Sequence, residues 1–571
     1  MTVLAAPSED LLQQNLEVLT QGQPALAMLL HRAVPAQIGA AHNGEPTCKI
    51  VVDGMERLVH SAYDPGGEAR RQAERVPPEA GTILCLGAGL GYLPLTLLER
   101  PDLRLMLLEP ELPFLRMMLS LFDCREYFRT GRLTLVTSSD VDIAALSSFA
   151  SVDGEVAHPV LGPLYADHRR HFRYLTHLRD ARGKVIVVHN KLFASDLAEL
   201  FEQRGFAVRT VNSSDVTLRS FQALVSQIEP SFMFTVNYSP EIALLCSRAK
   251  VPYVSWTIDP IPAARLRVLQ GTDTSLCVVF AHRRFLVEEL RRIGFDEVGY
   301  LPLAAPAAKR FHVEDEARLA PYRCNVSFVG SSLVVEENGL LRWMRHLGGT
   351  DALEQRMTEF IEQTFQSEGR EMSYLGLAED GSQTPQWLAE GLSAEMDPVE
   401  ASDRINGALS HRLRIDRVRA CRQYGMRAYG DEGWEVCGDL YHGRAEHGDE
   451  LTSIYNASRV NLDIPRIYQR DIVTMRVFDV LLCGGVLVTE PSSELLELFS
   501  ADTHLATYRN EAELIRLIGD LNEDPERARA LAVAGRKLVT NKHTMHHRVA
   551  AMLEELVRRG LGGEDVAQAL E

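Results

Sequence analysis

Residues Asp471 to Val488 read DIVTMRVFDVLLCGGVLV. Met475, Phe478, Leu481 and Leu482 recur at the spacing of a helix buried along one face. Cys483-Gly484-Gly485 ends that helix, and Val486-Leu487-Val488 reads as a short buried strand. Helix, glycine turn and parallel strand form the repeating unit of an open α/β sheet. In such sheets the strands' carboxyl ends and the helices' amino ends face the ligand crevice, where backbone N–H groups favour a diphosphate. Asp471 and Asp479 bracket seven residues and put two carboxylates beside the expected crevice.

Working outward, a chain of 571 residues exceeds what one hydrophobic core spans, and three domains are expected. A net charge of −18 argues against partners held through nucleic-acid phosphates or anionic lipid. No apolar run approaches the roughly 20 residues of a membrane span, and the start, MTVLAAPSEDLLQQN, lacks a signal core, so the chain reads as cytoplasmic. The nine cysteines form no C-x-x-C pair and several sit in apolar runs such as ILCLG, which marks them as small buried hydrophobes. No structural metal is expected, because His543, His546 and His547 have no nearby acid or cysteine and read as helix-start residues.

Three α/β blocks are legible. The first runs from strand TILCLG through Gly87, Gly89 and Gly91 into an apolar helix and then strand LRLMLLEP, ending on Glu109. Glycines at the turn and an acid about 20 positions on are the pattern of a nucleotide-binding half. The bland reading is a Rossmann-like domain whose glycines serve packing alone. The second block alternates KVIVVH, AVRTV, SFMFTV, VPYVSWTI, SLCVVF and VGYLPL with helical segments, and the third comprises CNVSFVG, MRAYG, ASRVNLDI and GGVLVTE. Residues 340–420, rich in Glu, Gln, Arg, Leu and Met, are expected to be a helical insertion in the third block. Ser195 has the look of a helix N-cap.

SFMFTVNYSP, VPYVSWTIDP, YLPLAAP, NVSFVGSS and the stretch Tyr455 to Val488 resemble, in this order, the CgeB-like GT-B glycosyltransferases over about Lys184 to Arg548. The region around Gly87 to Glu109 resembles the amino-terminal part of Maf-type flagellin glycosyltransferases. The fold implied is α/β: a GT-B pair of Rossmann-like domains preceded by a third, methyltransferase-like one. The expected domains are 1–165, 166–312 as acceptor domain and 313–571 as donor domain.

The resemblance implies transfer of a sugar from a nucleotide-diphosphate donor, a UDP- or dTDP-sugar, without a metal or other cofactor. Related retaining enzymes carry two Glu separated by seven residues; here the positions are Asp471, expected near the donor sugar, and Asp479, expected at the ribose. Arg466, Arg470 and Arg476 are candidates for the diphosphate because the guanidinium fork pairs with two phosphate oxygens. Gly330, Ser331, Tyr429, Gly430, Gly484 and Gly485 are candidates for close approach of donor to backbone. On the acceptor side, Asp259 or His189 would act as base if the enzyme inverts, with Asn190, Asn237 and Trp256 lining the crevice. A protein acceptor, flagellin foremost, is expected. A polysaccharide or lipid-linked acceptor, an S-adenosylmethionine-dependent methyltransferase and a non-catalytic nucleotide-binding scaffold remain as alternatives.

Overall fold

The computed structural model describes residues 6–570 apart from 53–54, 138–152, 166–168, 171–173, 175–176, 179–180, 190–192, 213–217, 260–273, 366–375, 380, 393–395 and 469–470. The chain divides into two compact units, Met1–Ile186 with Gly205–Val211, and Val187–Arg204 with Asn212–Glu571.

In the first unit, helix Glu9–Gly22 starts where Ser8 Oγ accepts the Leu11 N–H. Three antiparallel strands follow, β1 (Ile38–Ala40), β2 (Pro46–Val52) and β3 (Met55–Leu58), ahead of the first α/β block read from the sequence. The α/β part is a four-stranded parallel sheet of β4 (Thr82–Leu86), β5 (Arg104–Leu108), β6 (Leu133–Val136) and β7 (Gly154–Ala157), in the order β6-β5-β4-β7. Its residues Ile83, Leu105, Leu107, Leu133 and Leu135 join the helical Leu93, Leu97, Leu115 and Leu119 in one core. The central strands β4 and β5 are buried on both faces and are accordingly near-continuous apolar runs, whereas the edge strand β7, GEVA, is not.

The second unit holds the two remaining α/β blocks. Its first sheet is built from β8 (Gly183–His189), of which Val187–His189 belongs to this unit, β10 (Phe232–Val236), β11 (Tyr253–Thr257), β12 (Cys277–Ala281) and β13 (Val298–Tyr300), in the order β13-β12-β11-β10-β8. β9 (Phe206–Asn212) falls almost wholly in the segment grouped with the first unit. The second sheet is parallel throughout, with β14 (Cys324–Val329), β15 (Met426–Tyr429), β16 (Ser458–Leu462), β17 (Leu487–Thr489) and β18 (Ala506–Thr507) in the order β15-β14-β16-β17-β18. Each strand expected in the second and third blocks is present. Between β14 and β15 the chain forms helices Val334–His346, Asp351–Phe365, Gln386–Gly391 and Pro398–Ala420.

Asp524 interrupts the closing helices, accepting the Arg527 N–H at the start of Pro525–Lys542. Helix Met545–Arg558 begins with a capping box of Thr544 and His547, whose Oγ1 and Nδ1 lie 2.7 Å apart, which is the helix-start role expected of His547, whereas His543 caps the end of the preceding helix. Thr544 also bridges to Ala305, and buried Arg548 donates to Pro302 O and Leu303 O at 2.7 and 2.9 Å. These contacts tie the carboxy-terminal helices to the segment that follows β13.

Candidate functional site

The carboxyl edge of the second sheet of unit two collects a charged cluster. Gly330 and Ser331 follow β14, Gly430 and Asp431 follow β15, Asp463 follows β16 and Thr489 ends β17. Helix Met475–Cys483 presents its amino end here, because a helix joining parallel strands runs antiparallel to them. Arg476, in its first turn, donates through Nε to Val329 O at 2.8 Å and pairs through Nη1 with Asp463. Asp463 also accepts from Thr474 Oγ1 at 2.9 Å and Thr489 Oγ1 at 3.0 Å, so both oxygens of this carboxylate are engaged. A Cβ on Gly330 would stand 2.6 Å from Arg476 Nη2, and one on Gly430 would stand 2.1 Å from Gly330 O. Both glycines are there because backbone and guanidinium approach too closely for a side chain.

A second guanidinium comes from the helical insertion. Arg414, 7% exposed, donates through Nη1 to Ser331 O at 2.7 Å and through Nε and Nη2 to Ile464 O. Among the described residues it has no carboxylate partner. Burial, then the charges of Arg476 and Arg466, push its pKa down to about 9 against the attraction of Asp463 and Asp431. Arg466 lies against Glu336 and Tyr468 Oη at 3.3 and 3.2 Å. The carboxylate nearest Arg414 on the β15 side, Asp431, is taken up by Ser331 Oγ at 2.6 Å and Ser332 N at 2.8 Å; these bonds hold it below the usual carboxylate range in spite of burial. Arg414 and Arg476 both stack over the Phe328 ring, at 5.5 and 4.7 Å. Beside them a small, partly open pocket is lined by Asp463, Arg466, Thr489, Glu490 and Ser492 among apolar neighbours. An edge that gathers three guanidinium groups, one of them without a carboxylate hydrogen bond among the described residues, is suited to an anion bearing several oxygens.

The structure places other expected donor residues elsewhere. Gly484 and Gly485 precede β17 and so lie at the opposite end of helix Met475–Cys483 from Arg476. Gly485 serves packing, since a Cβ there would stand 2.7 Å from Asn461 Nδ2 and 2.8 Å from Tyr455 O. Asp479, 5% exposed, pairs with buried Arg310 at 3.0 Å, not with an open pocket. Burial lifts its pKa to about 6 against the pull of Arg310, which leaves the pair charged at neutral pH. Asp471 accepts from Arg283 Nε at 2.7 Å and from the Phe285 N–H at 2.9 Å, at the start of helix Arg284–Arg292. Arg283, 1% exposed, also meets Glu379 at 2.6 Å; burial works against its charge, but the two carboxylates hold its pKa above the usual value. Tyr429 is buried at 4% exposure, with only its backbone at the strand end. Arg470 lies outside the described residues.

On the first sheet of unit two, strand order brings His189, Asn237 and Asp259 to neighbouring strand ends. Asp259 is exposed and accepts from Asn237 Nδ2 at 2.8 Å, while Asn237 Oδ1 accepts from the Ile258 and Asp259 N–H groups at 2.7 and 3.0 Å. Asn237 adopts φ +67°, a left-handed setting that asparagine tolerates better than most residues, and three side-chain hydrogen bonds hold it there. His189 Nε2 lies 3.1 Å from Ser195 Oγ, so Ser195 faces the histidine; the residue capping helix Ala194–Gln203 is Phe193, not Ser195. Trp256 does not line a crevice. It is fully buried, and its indole donates to Leu301 O at 2.8 Å. Asn190 lies outside the described residues.

In unit one the glycine turn is filled by the protein's own side chains. Gly89 adopts φ +51°, and a Cβ there would stand 2.6 Å from His60 Nε2, which accepts the Leu90 N–H at 2.8 Å. His158 packs at 5.1 Å from the His60 ring. Gly87 abuts Leu161 and His158, and Gly91 abuts Met118. Glu109 turns inward, accepting from Ala88 N at 2.8 Å, Glu111 N at 3.0 Å and Tyr165 Oη at 2.6 Å. Burial lifts its pKa to about 7 and pushes the His158 ring down to about 4. Glu109 therefore closes the turn instead of offering a carboxylate to a ribose.

Arg414, Arg283, Arg310, Asp431 and Asp463 escaped the sequence reading. Arg414 had one legible signal: His411, Arg414 and Arg417 follow at intervals of three on one helix, and all are buried. Eight cysteines are buried and Cys324 is half-buried; all nine are free. Among the described residues there is no group of three or more metal-ligating side chains and no helix long and apolar enough to cross a membrane.

No curated protein matches the chain. Similar solved structures include a sucrose-phosphate synthase from Thermosynechococcus elongatus, at 12% identity over 66% of this chain and 98% of that one, with a TM-score of 0.39. Anabaena HepE in complex with UDP and glucose is similar at 11% identity over 66% and 98%, with a TM-score of 0.35. A Maf glycosyltransferase from Magnetospirillum magneticum AMB-1 is similar at 14% identity over 54% and 58%, with a TM-score of 0.22. Residues 410–554, which carry Arg414, Asp463, Arg466, Arg476 and Asp479, match the family described as glycosyl transferase-like.

Proposed function

We propose that the chain is a glycosyltransferase that moves a sugar from a nucleoside-diphosphate donor to an acceptor hydroxyl. The observation that carries this reading is the buried guanidinium of Arg414, without a carboxylate partner among the described residues and beside Arg476 and Arg466. Burying such a charge is costly unless an anion completes the site. A diphosphate fits in number of oxygens and in charge, and the leaving group of the transfer is the same diphosphate, so the cations would stabilise the charge that develops as the glycosidic bond breaks. The glycosyl transferase-like match over residues 410–554 covers all three arginines.

The acceptor is read on the first sheet of unit two. Asp259, exposed and steered by Asn237, is the group suited to take the acceptor proton if configuration is inverted. His189 is the alternative base. If configuration is retained, the leaving phosphate takes that proton. We read the acceptor as a protein, flagellin foremost, and the subtype as CgeB-like, on the resemblance of the sequence motifs alone. The methyltransferase alternative asks for an open glycine turn in unit one, where His60 and His158 stand instead.

The test is a thermal-shift screen of nucleotides and nucleotide sugars. A ligand at one hundred times its dissociation constant stabilises its site by about 2.7 kcal/mol. UDP or dTDP and their sugars are expected to raise the melting temperature; a screen in which no nucleotide does so removes the donor reading.

A further inference from the structure

Asp471 and Asp479 have the spacing of a donor motif, yet Asp471 is engaged with the other α/β block of the same unit. Its Oδ1 accepts from Arg283 Nε at 2.7 Å and stands 2.5 Å from Arg283 Nη2, and its Oδ2 accepts the Phe285 N–H at 2.9 Å. Arg283 directly follows His282 at the carboxyl end of β12 and is bound a second time by Glu379 from the insertion between β14 and β15. Three chain segments far apart in sequence therefore meet on one buried guanidinium.

Asp471 belongs to the segment 463–476, which leaves β16 at Asp463 and enters its helix at Met475. That segment is pinned at one end by Asp463, which binds Thr474 and Arg476 within it, and at Asp471 by Arg283. Arg466, which lines the pocket, lies between the two pins. Ile464 O, held by Arg414, and the Ile467 N–H, which donates to Ser410 Oγ at 3.0 Å, fix the segment's first residues, and Asp471 adds a fixed point just before the helix that carries Arg476, so releasing Asp471 loosens the approach to that cation.

We propose that Arg283, Asp471 and Glu379 form a latch between the two α/β blocks, and that the latch positions the donor-binding segment without touching the donor. This coupling rests on the donor reading given above. Arg283 is a positioning residue. Because coupling between two sites is reciprocal, an anion on Arg414, Arg466 and Arg476 also tightens the latch, and the Phe285 amide reports it directly.

The experiment uses the full chain, with UDP as probe, and reads UDP affinity by calorimetry and amide exchange at Phe285 by mass spectrometry. In Asp471→Asn, exchange at Phe285 is expected to quicken by about tenfold or more and UDP affinity to fall by about tenfold. UDP is expected to slow Phe285 exchange in the wild type. Arg283→Lys keeps the charge but loses the fork, and is expected to give an intermediate loss; Glu379→Gln provides a milder variant should either of the others fold poorly. The double variant Arg283→Lys/Asp471→Asn is expected to lose no more than Asp471→Asn alone. Unchanged Phe285 exchange in Asp471→Asn overturns the latch. Faster exchange with unchanged UDP affinity overturns the positioning role, and failure of the wild-type chain to bind UDP overturns the donor reading and the coupling with it.

Discussion

The glycine turn of the first unit and the edge of the Arg414 sheet in the second are built alike and provisioned oppositely. Both lie at the carboxyl ends of parallel strands, and both need glycine where neighbouring atoms stand under 3.0 Å from a would-be Cβ. At Gly89 the neighbour is His60, and Glu109 spends its oxygens on Ala88, Glu111 and Tyr165. At Gly330 the neighbour is Arg476, and Arg414 beside it has only carbonyl oxygens for hydrogen-bond partners among the described residues. Glycines at a strand end thus report close packing. Whether a ligand belongs there is decided by whether the charge of the edge is already balanced.

The largest expected effect sharpens the contrast within the second unit, where some carboxylates are structural. Arg310→Met leaves Asp479 buried and unpaired and is expected to cost about 3–5 kcal/mol in chemical denaturation, whereas Arg310→Met/Asp479→Leu costs much less. Equal losses in the two would show that the pair is not the reason. Glu109 provides the corresponding test in the first unit. Its carboxyl holds a proton up to about pH 7 when folded and to about 4.5 when unfolded. Its contribution is thus fully present below about pH 4.5 and is lost as pH rises to about 7, on the order of 3 kcal/mol. Glu109→Gln should remove that slope, while the opposite slope from His158 below about pH 6.5 persists. Denaturation midpoints with the same pH dependence in both chains would refute the assignment.

Next in size, Arg414→Met is expected to weaken UDP binding about 100-fold, about 2.7 kcal/mol, measured by calorimetry. Retained affinity would break the contrast, because the edge would then need no buried cation. The smallest effect is none at all. S-adenosylmethionine is expected to leave the melting temperature of the first unit unchanged, and a clear rise would mean that His60 and His158 can vacate the turn.

The sheets were legible because strands such as β8, β10 and β12 carry the apolar runs VIVV, FMF and CVVF, and apolar runs of strand length are read directly. β1 to β3 were not, since exposed positions such as Val51 and Leu58 do not alternate cleanly with buried ones. The site was read less well. Arg476 was found from its place in the first turn of a helix, a local property. Arg414 lies 83 residues beyond Ser331, whose carbonyl it holds, and reached that partner through a long insertion that propensity identifies as helical but cannot orient. Spacing suggested a shared role for Asp471 and Asp479. Their partners Arg283 and Arg310 lie 188 and 169 residues away and divide them between two different tasks.

The bridge between Ala305 and Thr544, with Arg548 donating to Pro302 and Leu303, also constrains the order of events during synthesis. The segment after β13 leaves the ribosome some 240 residues before the helix that holds it. Until then its carbonyls must stay hydrated or find other partners, and the first sheet of this unit stands without its final brace. Contacts of such long sequence separation form slowly and leave apolar surface exposed in the meantime. A chain ending before Thr544 is therefore expected to damage a fold completed far upstream of the cut, as more aggregation of nascent protein and not as a local loss at the missing end.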